Sequence, residues 1–130
     1  MRRLLFVVLI FVCASFAQNA GEPVDAPGWI NRGVQAFKSA KYDEAITAFH
    51  HAADLDPANV DAHLYLGTSY FVQYVPGIIV PENLAFAEKA REQFEEVLRL
   101  QAQNKPAIQS LASLTCALPE TQCWGSRAWA

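Results

Sequence analysis

Motifs that normally carry catalytic chemistry are missing from this 130-residue sequence. It contains no glycine-rich phosphate-binding motif, no G-x-S-x-G nucleophile motif and no H-E-x-x-H metal motif. His50 and His51 are neighbours that point to different sides of a helix, and His63 lies on another predicted helix. Because catalysis and metal binding need groups that converge on one point, we expect no enzyme activity, no metal site and no cofactor.

An apolar run long enough to cross a bilayer is also missing. Residues 4–12 are apolar without interruption, but a spanning helix needs roughly 20 such residues. The run follows two arginines and precedes small residues at 15 and 17, which together predict a secretory signal peptide over residues 1–17, with cleavage before Gln18. We therefore expect an exported chain, periplasmic or extracellular. The alternative is an N-terminal anchor that is not cleaved.

Positive charge and cysteine are scarce. Cleavage of the leader would leave 8 Lys and Arg against 13 Asp and Glu, a net charge of −5, with no run of four basic residues. That balance argues against nucleic acid and anionic membrane surfaces as partners.

Cys13 would leave with the leader, and Val12 before it argues against the alternative, a lipidated Cys13. Cys116 and Cys123 could form a disulfide outside the cytoplasm or stay unpaired.

A helical pattern of 34 residues follows a lead-in at 18–25 that we expect to be flexible. Residues 26–59 place Trp and Gly on a first predicted helix and a small–large–small ridge on a second, which ends at a proline. The ridge residues share one face because they are four and three residues apart. The segment resembles the tetratricopeptide repeat (TPR). Arg32 and Ala36 depart from the family pattern, and the matching positions are Trp29, Gly33, Ala45, Phe49, Ala52 and Pro57.

A second unit, residues 60–104, repeats this pattern with an insertion of 11 residues around 73–83. We expect both of its helices to be longer than standard, the second spanning about 82–103, with a protruding loop between them. Pro76-Gly77 is the turn signal in that loop. The matching positions are Leu66, Gly67, Tyr70, Ala90, Phe94 and Val97.

A third, partial unit covers residues 105–114, and we expect its helix, extended to about 117, to cap the array. Residues 115–130 show no further ridge, so this irregular tail is either native or a truncated or frame-shifted remnant. The resemblance, over residues 26–114, implies an all-α solenoid of antiparallel helix pairs: about two repeats plus a C-terminal capping helix. The alternative is an ordinary helical hairpin bundle.

The resemblance also implies a shallow groove lined by the first helix of each unit. Ile30 and Val34 stand where carboxylate-gripping relatives have Lys and Asn, which favours an apolar partner segment. Apolar residues 74, 75 and 78–80 of the insertion form a second surface, which we expect to pack onto the helices rather than to serve for docking. The candidate groove residues are Ile30, Val34, Phe37, Lys38, Asp61, Leu64, Thr68 and Phe71.

These features predict a protein-interaction module, an exported adaptor or assembly scaffold that binds a protein or peptide of unknown identity. One alternative is a structural homo-oligomer whose groove is covered by another copy. Another is an accessory subunit of a cell-envelope complex.

Overall fold

The structure is a computed structural model that describes residues 21–118, which form five α-helices joined by short connections. Residues 1–20 and 119–130 lie outside the described part. The signal peptide, the irregular tail beyond residue 118 and any pairing of Cys123 therefore stay predictions. None of the described helices is long and apolar enough to cross a membrane. The helices are α1 (Ala26–Lys38), α2 (Tyr42–Leu55), α3 (Val60–Gln73), α4 (Pro81–Leu100) and α5 (Lys105–Ala117).

The first helix of each unit begins with the same kind of cap. The side-chain oxygens of Asp25, Asn59 and Asn104 each accept a hydrogen bond from the backbone amide three residues further on, at 3.0, 3.1 and 3.0 Å. Each bond satisfies an amide that the start of a helix leaves without a partner. The caps occupy equivalent positions, so α1, α3 and α5 begin three successive units.

In each complete unit the two helices contact each other where a glycine of the first helix meets a phenylalanine ring of the second. A Cβ added to Gly33 would lie 2.5 Å from Cε1 of Phe49, and a Cβ added to Gly67 would lie 2.9 Å from Cε1 of Phe94. Both rings are fully buried. Since only a residue without a side chain permits this approach, the same contact joins α1 to α2 and α3 to α4.

The five helices form one continuous array in which each second helix packs between two first helices. Helix α2 contacts α1 and α3, and α4 contacts α3 and α5. The first helices also touch in sequence, α1 with α3 and α3 with α5. The all-α, repeat-like architecture predicted from the sequence is therefore confirmed.

The expectation that both helices of the second unit are lengthened is wrong for α3. Helix α3 has 14 residues, the same as α2, whereas α4 has 20. Helix α4 also ends at Leu100, three residues before its expected end, where Gln101 leaves the helical conformation. The inserted residues therefore lengthen only α4 and the loop at 74–80, because Tyr74 adopts an extended backbone and ends α3.

Candidate protein-binding groove

The predicted groove residues lie in two parallel rows. On α1 and α3 they follow the spacing i, i+4, i+7, which places each row on one side of its helix, and α1 contacts α3 directly. We call the six residues of these rows the groove face. They are Ile30, Val34 and Phe37 on α1, and Leu64, Thr68 and Phe71 on α3.

All six residues of the groove face are half-buried, and the five apolar ones pack against the hydrophobic core from outside. The hydroxyl of Thr68 donates to the backbone carbonyl of Leu64 at 2.7 Å, so it is already satisfied within its own helix. Lys38 and Asp61, the two charged residues predicted for the groove, are exposed. The surface offered to a partner is therefore mainly apolar, with charge only at those two positions.

The residues predicted to pack the repeats lie where the helices meet. Of the twelve, eleven are buried, and Pro57 is exposed in the turn after α2. It directly follows Asp56, the C-cap residue, which is where the sequence predicts a proline that ends the helix. Cys116, one of the two cysteines for which a disulfide was considered possible, lies in the last turn of α5.

Arg32 departs from the repeat pattern because no helix precedes α1 among the described residues. In the second unit the equivalent residue is Leu66, which is 1% exposed because α2 covers it. Arg32 instead places its guanidinium 5.1 Å from the ring centre of Trp29, and the His51 ring lies 4.4 Å from the same ring centre, tilted by 30°. These two polar side chains cover the tryptophan at the start of the array, as terminal repeats require.

The same N-terminal end carries an open depression of about 450 Å³. Sequence reasoning did not find this depression, because it depends on the tertiary arrangement at an end of α1 and α2 that no other helix of residues 21–118 covers. Its walls mix both charge signs, and Lys41 is paired with Glu44 at 3.0 Å. The lining includes Glu22, Trp29, Arg32, Gln35, Lys41, Glu44, Thr47 and His51.

The inserted loop is held rigidly by one side chain. Asn83, itself 8% exposed, accepts from the amide of Val75 at 2.8 Å and donates to the carbonyls of Val75 and Ile78 at 2.8 and 2.7 Å. The hydroxyl of Tyr74 donates to the carbonyl of Ala117 at 2.9 Å, which ties the start of the loop to the end of α5. The backbone of the loop is thus fixed at both ends.

The expectation that the inserted apolar residues pack onto the helices holds only for Tyr74, which is buried. The other four side chains are exposed, and Ile79 is 67% exposed. They point outward because the hydrogen bonds of Asn83 fix the backbone around them. The exposed four are Val75, Ile78, Ile79 and Val80.

The histidines take part in packing rather than in a reactive site. His50 lies 2.9 Å from the hydroxyl of Tyr70, and burial raises the pKa of Tyr70 above its usual range. His63 bridges the amide oxygen of Gln93 at 2.8 Å and the carbonyl of Pro57 at 2.9 Å. Over residues 21–118 no three acidic, cysteine or histidine side chains lie close enough to hold a metal ion.

The proteins of known family or structure that this chain resembles are built from the same kind of helical repeat. Residues 36–73 match the family model described as TPR repeat, from the end of α1 through α2 and α3. The TPR domain of OM64 from Arabidopsis is 24% identical and superposes with a TM-score of 0.59, over 72% of this chain and 69% of that chain. The described chain therefore has the fold of a TPR domain, and its residues 36–73 are similar to the TPR repeat.

Two further solved TPR domains are similar over most of their length but superpose less well. The first TPR of Spaghetti (RPAP3), bound to the HSP90 peptide SRMEEVD, is 22% identical, with a TM-score of 0.39 over 72% of this chain and 92% of that chain. The first TPR domain of human RPAP3 is 21% identical, with a TM-score of 0.35 over 71% and 91%. No curated protein sequence matches the chain. The similarity to TPR proteins therefore depends on the family match at residues 36–73 and, for the fold alone, on the OM64 superposition.

Proposed function

We propose that this TPR-like array is a protein-interaction module that holds a partner segment on its groove face and performs no chemistry itself. The observation that carries the proposal is the pair of apolar rows on α1 and α3, half-buried yet open on one side. Apolar side chains already fixed by packing lose little conformational freedom when a partner covers them. Such a surface favours binding an amphipathic helix or an extended apolar segment.

The partner segment is expected to be internal rather than a chain terminus. Binding a terminal carboxylate requires a cation or several free donors directed at it. The central positions of the groove face are occupied instead by Ile30, Val34, Leu64 and Thr68, and the Thr68 hydroxyl is already bonded to its own helix. Lys38 lies at the last position of α1, away from these central residues.

Two threonines provide a matched pair for testing the groove face. Thr68 and Thr47 each donate to the carbonyl four residues earlier in their helix, at 2.7 and 2.9 Å, but Thr47 lines the N-terminal depression instead. Arginine is a good helix former, so both substitutions should leave the helices intact. Thr68→Arg would extend a charged side chain across the apolar rows, whereas Thr47→Arg would not.

The experiment selects binders for the purified chain from a library of displayed peptides and then measures their affinities. We expect the selected peptides to carry apolar residues at helical or alternating spacing and to bind equally well with an amidated C-terminus. Thr68→Arg should weaken binding at least about tenfold, the equivalent of 1.4 kcal/mol, and Thr47→Arg should leave it unchanged. Equal loss in both variants, or a requirement for the free carboxylate, would refute the proposal.

Direct substitution of Phe71 is less informative. Its ring packs edge-on against Phe94, with ring centres 6.4 Å apart, so a charged residue at this position would disturb the core as well as the groove. Self-association is the competing use of the groove face. A dimer in light scattering that Thr68→Arg dissociates would assign this face to a second copy.

We also propose that the module acts outside the cytoplasm, as an exported adaptor, scaffold or envelope-complex subunit. The leader pattern of residues 1–17 supports this proposal: two arginines, an apolar run and small residues at the cleavage site. Mass spectrometry of the chain from an exporting host should find Gln18 as the first residue. A chain that keeps its first 17 residues and stays in the cytoplasm would exclude export.

A further inference from the structure

The two charged residues predicted for the groove lie on the same side of their helices as the apolar rows. Lys38 lies four positions after Val34 on α1. Asp61 lies three positions before Leu64 on α3. These spacings keep residues on one side of a helix. Both charged side chains are exposed, and the three ion pairs formed within residues 21–118 use other groups.

The two charges lie at opposite ends of the groove. Helices α1 and α3 run parallel, because short turns join each of them antiparallel to α2. The ring of Phe49 on α2 lies against Gly33, the eighth residue of α1, and 5.3 Å from the ring of Tyr65, the sixth residue of α3. Equivalent positions of α1 and α3 are therefore level to within about two residues. Lys38 is the thirteenth residue of α1 and Asp61 the second of α3, so roughly 14–17 Å of groove separates them at 1.5 Å per position.

The groove face also selects the conformation of its partner. An extended segment presents backbone amides and carbonyls that need hydrogen-bonding groups opposite them. The groove face provides five apolar side chains and the hydroxyl of Thr68, which already donates to the carbonyl of Leu64. A helix satisfies its own backbone, so it can cover the apolar rows without leaving buried polar groups unpaired.

We propose that the groove face takes an amphipathic helix of a partner protein that runs antiparallel to α1 and α3, with an acidic residue beside Lys38 and a basic residue beside Asp61. This inference rests on the proposed function and names the chemistry of its partner. Residues eleven apart on a helix are separated by about 16 Å and return to the same side, so the two partner charges are expected about eleven positions apart.

The direction of the partner helix follows from the helix dipole. A helix is stabilised by an acidic residue in its first turn and by a basic residue in its last turn. The amino end of the partner helix, which carries the acidic residue, therefore lies beside Lys38 at the carboxyl end of α1.

The alternative is that the two charges serve only their own helices. Lys38 lies in the last turn of α1 and Asp61 in the first turn of α3, where each charge is favourable with respect to the dipole of its helix. That role predicts a change in stability when either charge is reversed, but no preference among partner peptides.

Three designed peptides distinguish these roles. Each is long enough to form a helix that covers the groove, has capped ends, and carries the same apolar stripe at helical spacing. One charged residue lies in the first turn and another eleven positions later. The first peptide carries glutamate and then lysine, the second lysine at both positions, and the third glutamate at both. Binding to the purified chain is measured by fluorescence anisotropy at low ionic strength, and the gain in helix by circular dichroism.

The unmodified chain should bind the glutamate–lysine peptide about two- to fivefold more tightly than the other two, as expected for an exposed ion pair. Lys38→Glu should transfer the preference to the peptide with two lysines, and Asp61→Lys should transfer it to the peptide with two glutamates. Glu88→Lys makes the same charge change as Asp61→Lys at an exposed position of α4 and should leave the preference unchanged. High salt should abolish the preference, because it screens exposed charges.

The direction of the bound helix is measured separately. A nitroxide label on the amino end of the glutamate–lysine peptide should broaden the backbone amide NMR signals around Lys38 and spare those around Asp61. The reverse pattern would overturn the antiparallel arrangement.

The inference and the proposed function fail in different ways. If all three peptides bind equally well and Thr68→Arg weakens each of them, the groove binds apolar segments but the charge pattern is wrong. If the charge reversals change stability without changing the preference, the charges serve only their own helices and the inference is overturned. If no peptide binds, both proposals are refuted. A dimer that Thr68→Arg dissociates would assign the groove face to a second copy and would also overturn the inference.

Discussion

The close approach of α1 to α2 at Gly33 decides whether the substitution Gly33→Ala raises or lowers the free energy of unfolding. In an isolated helix Gly→Ala is stabilising by about 1 kcal/mol, because glycine loses more conformational freedom on folding. Here the new methyl would lie 2.5, 2.7 and 2.8 Å from three atoms of the Phe49 ring, which is fully buried and has no space to move. Overpacking of this kind costs about 1–3 kcal/mol, and three contacts this short indicate the upper end.

The net effect of Gly33→Ala is therefore a loss of about 2 kcal/mol in the free energy of unfolding. For a domain of this size it corresponds to a fall in Tm of roughly 8–16 °C. Urea denaturation followed by circular dichroism measures the loss, and an unchanged m-value shows that two-state unfolding persists. Gly67→Ala should cost less, because its new methyl would lie 2.9 Å from the nearest ring atom of Phe94.

The double variant Gly33→Ala with Phe49→Leu provides the control. Removing the ring atoms that meet the new methyl should recover part of the loss, with a favourable coupling of about 1 kcal/mol between the two sites. If Gly33→Ala proves neutral or stabilising, helix propensity alone governs the site. The reasoning about close helix approach would then be refuted.

Two further predictions concern the loop and the Tyr70 hydroxyl. Asn83→Ala should lower the free energy of unfolding by about 1–3 kcal/mol and speed hydrogen exchange at the Val75 amide, since three hydrogen bonds are lost. The exposed control Asn31→Ala should not lower the free energy of unfolding, since alanine is the better helix former, and should leave exchange at Val75 unchanged. Retained protection at Val75 in Asn83→Ala would show that Asn83 does not hold the loop. Burial raises the pKa of Tyr70, so the unfolded chain releases this proton first and stability should fall as the pH rises through about 10. Tyr70→Phe should cost about 1 kcal/mol at neutral pH through the lost bond with His50 and flatten that alkaline decline, whereas an unchanged alkaline slope would contradict this role.

The helix pairs could be predicted from the sequence because their packing is local. Gly33 and Phe49 are only 16 positions apart in the chain, and each lies on a helix face defined by three- and four-residue spacing. The same holds for the ridge of α4, whose register survives the insertion. The groove rows of α1 and α3 were placed through the resemblance to the TPR family, and their role in binding stays a prediction.

The insertion and the ends of the array could not be predicted in this way. Helix α3 ends just before Tyr74, whose hydroxyl donates to the carbonyl of Ala117, 43 residues further along the chain. Asn83 holds the loop backbone and thereby leaves Ile79 exposed, contrary to the expected packing. No local periodicity encodes such contacts.

The sequence by itself determined which residues form paired helices and which side of each helix is apolar, because a helix repeats every 3.6 residues whatever surrounds it. Only the tertiary structure decided which apolar sides are covered. Leu66 is buried because α2 packs over it, whereas Arg32 occupies the same position of the first unit without such cover. Burial depends on which neighbour is present, and that is a property of the assembled array rather than of any one segment.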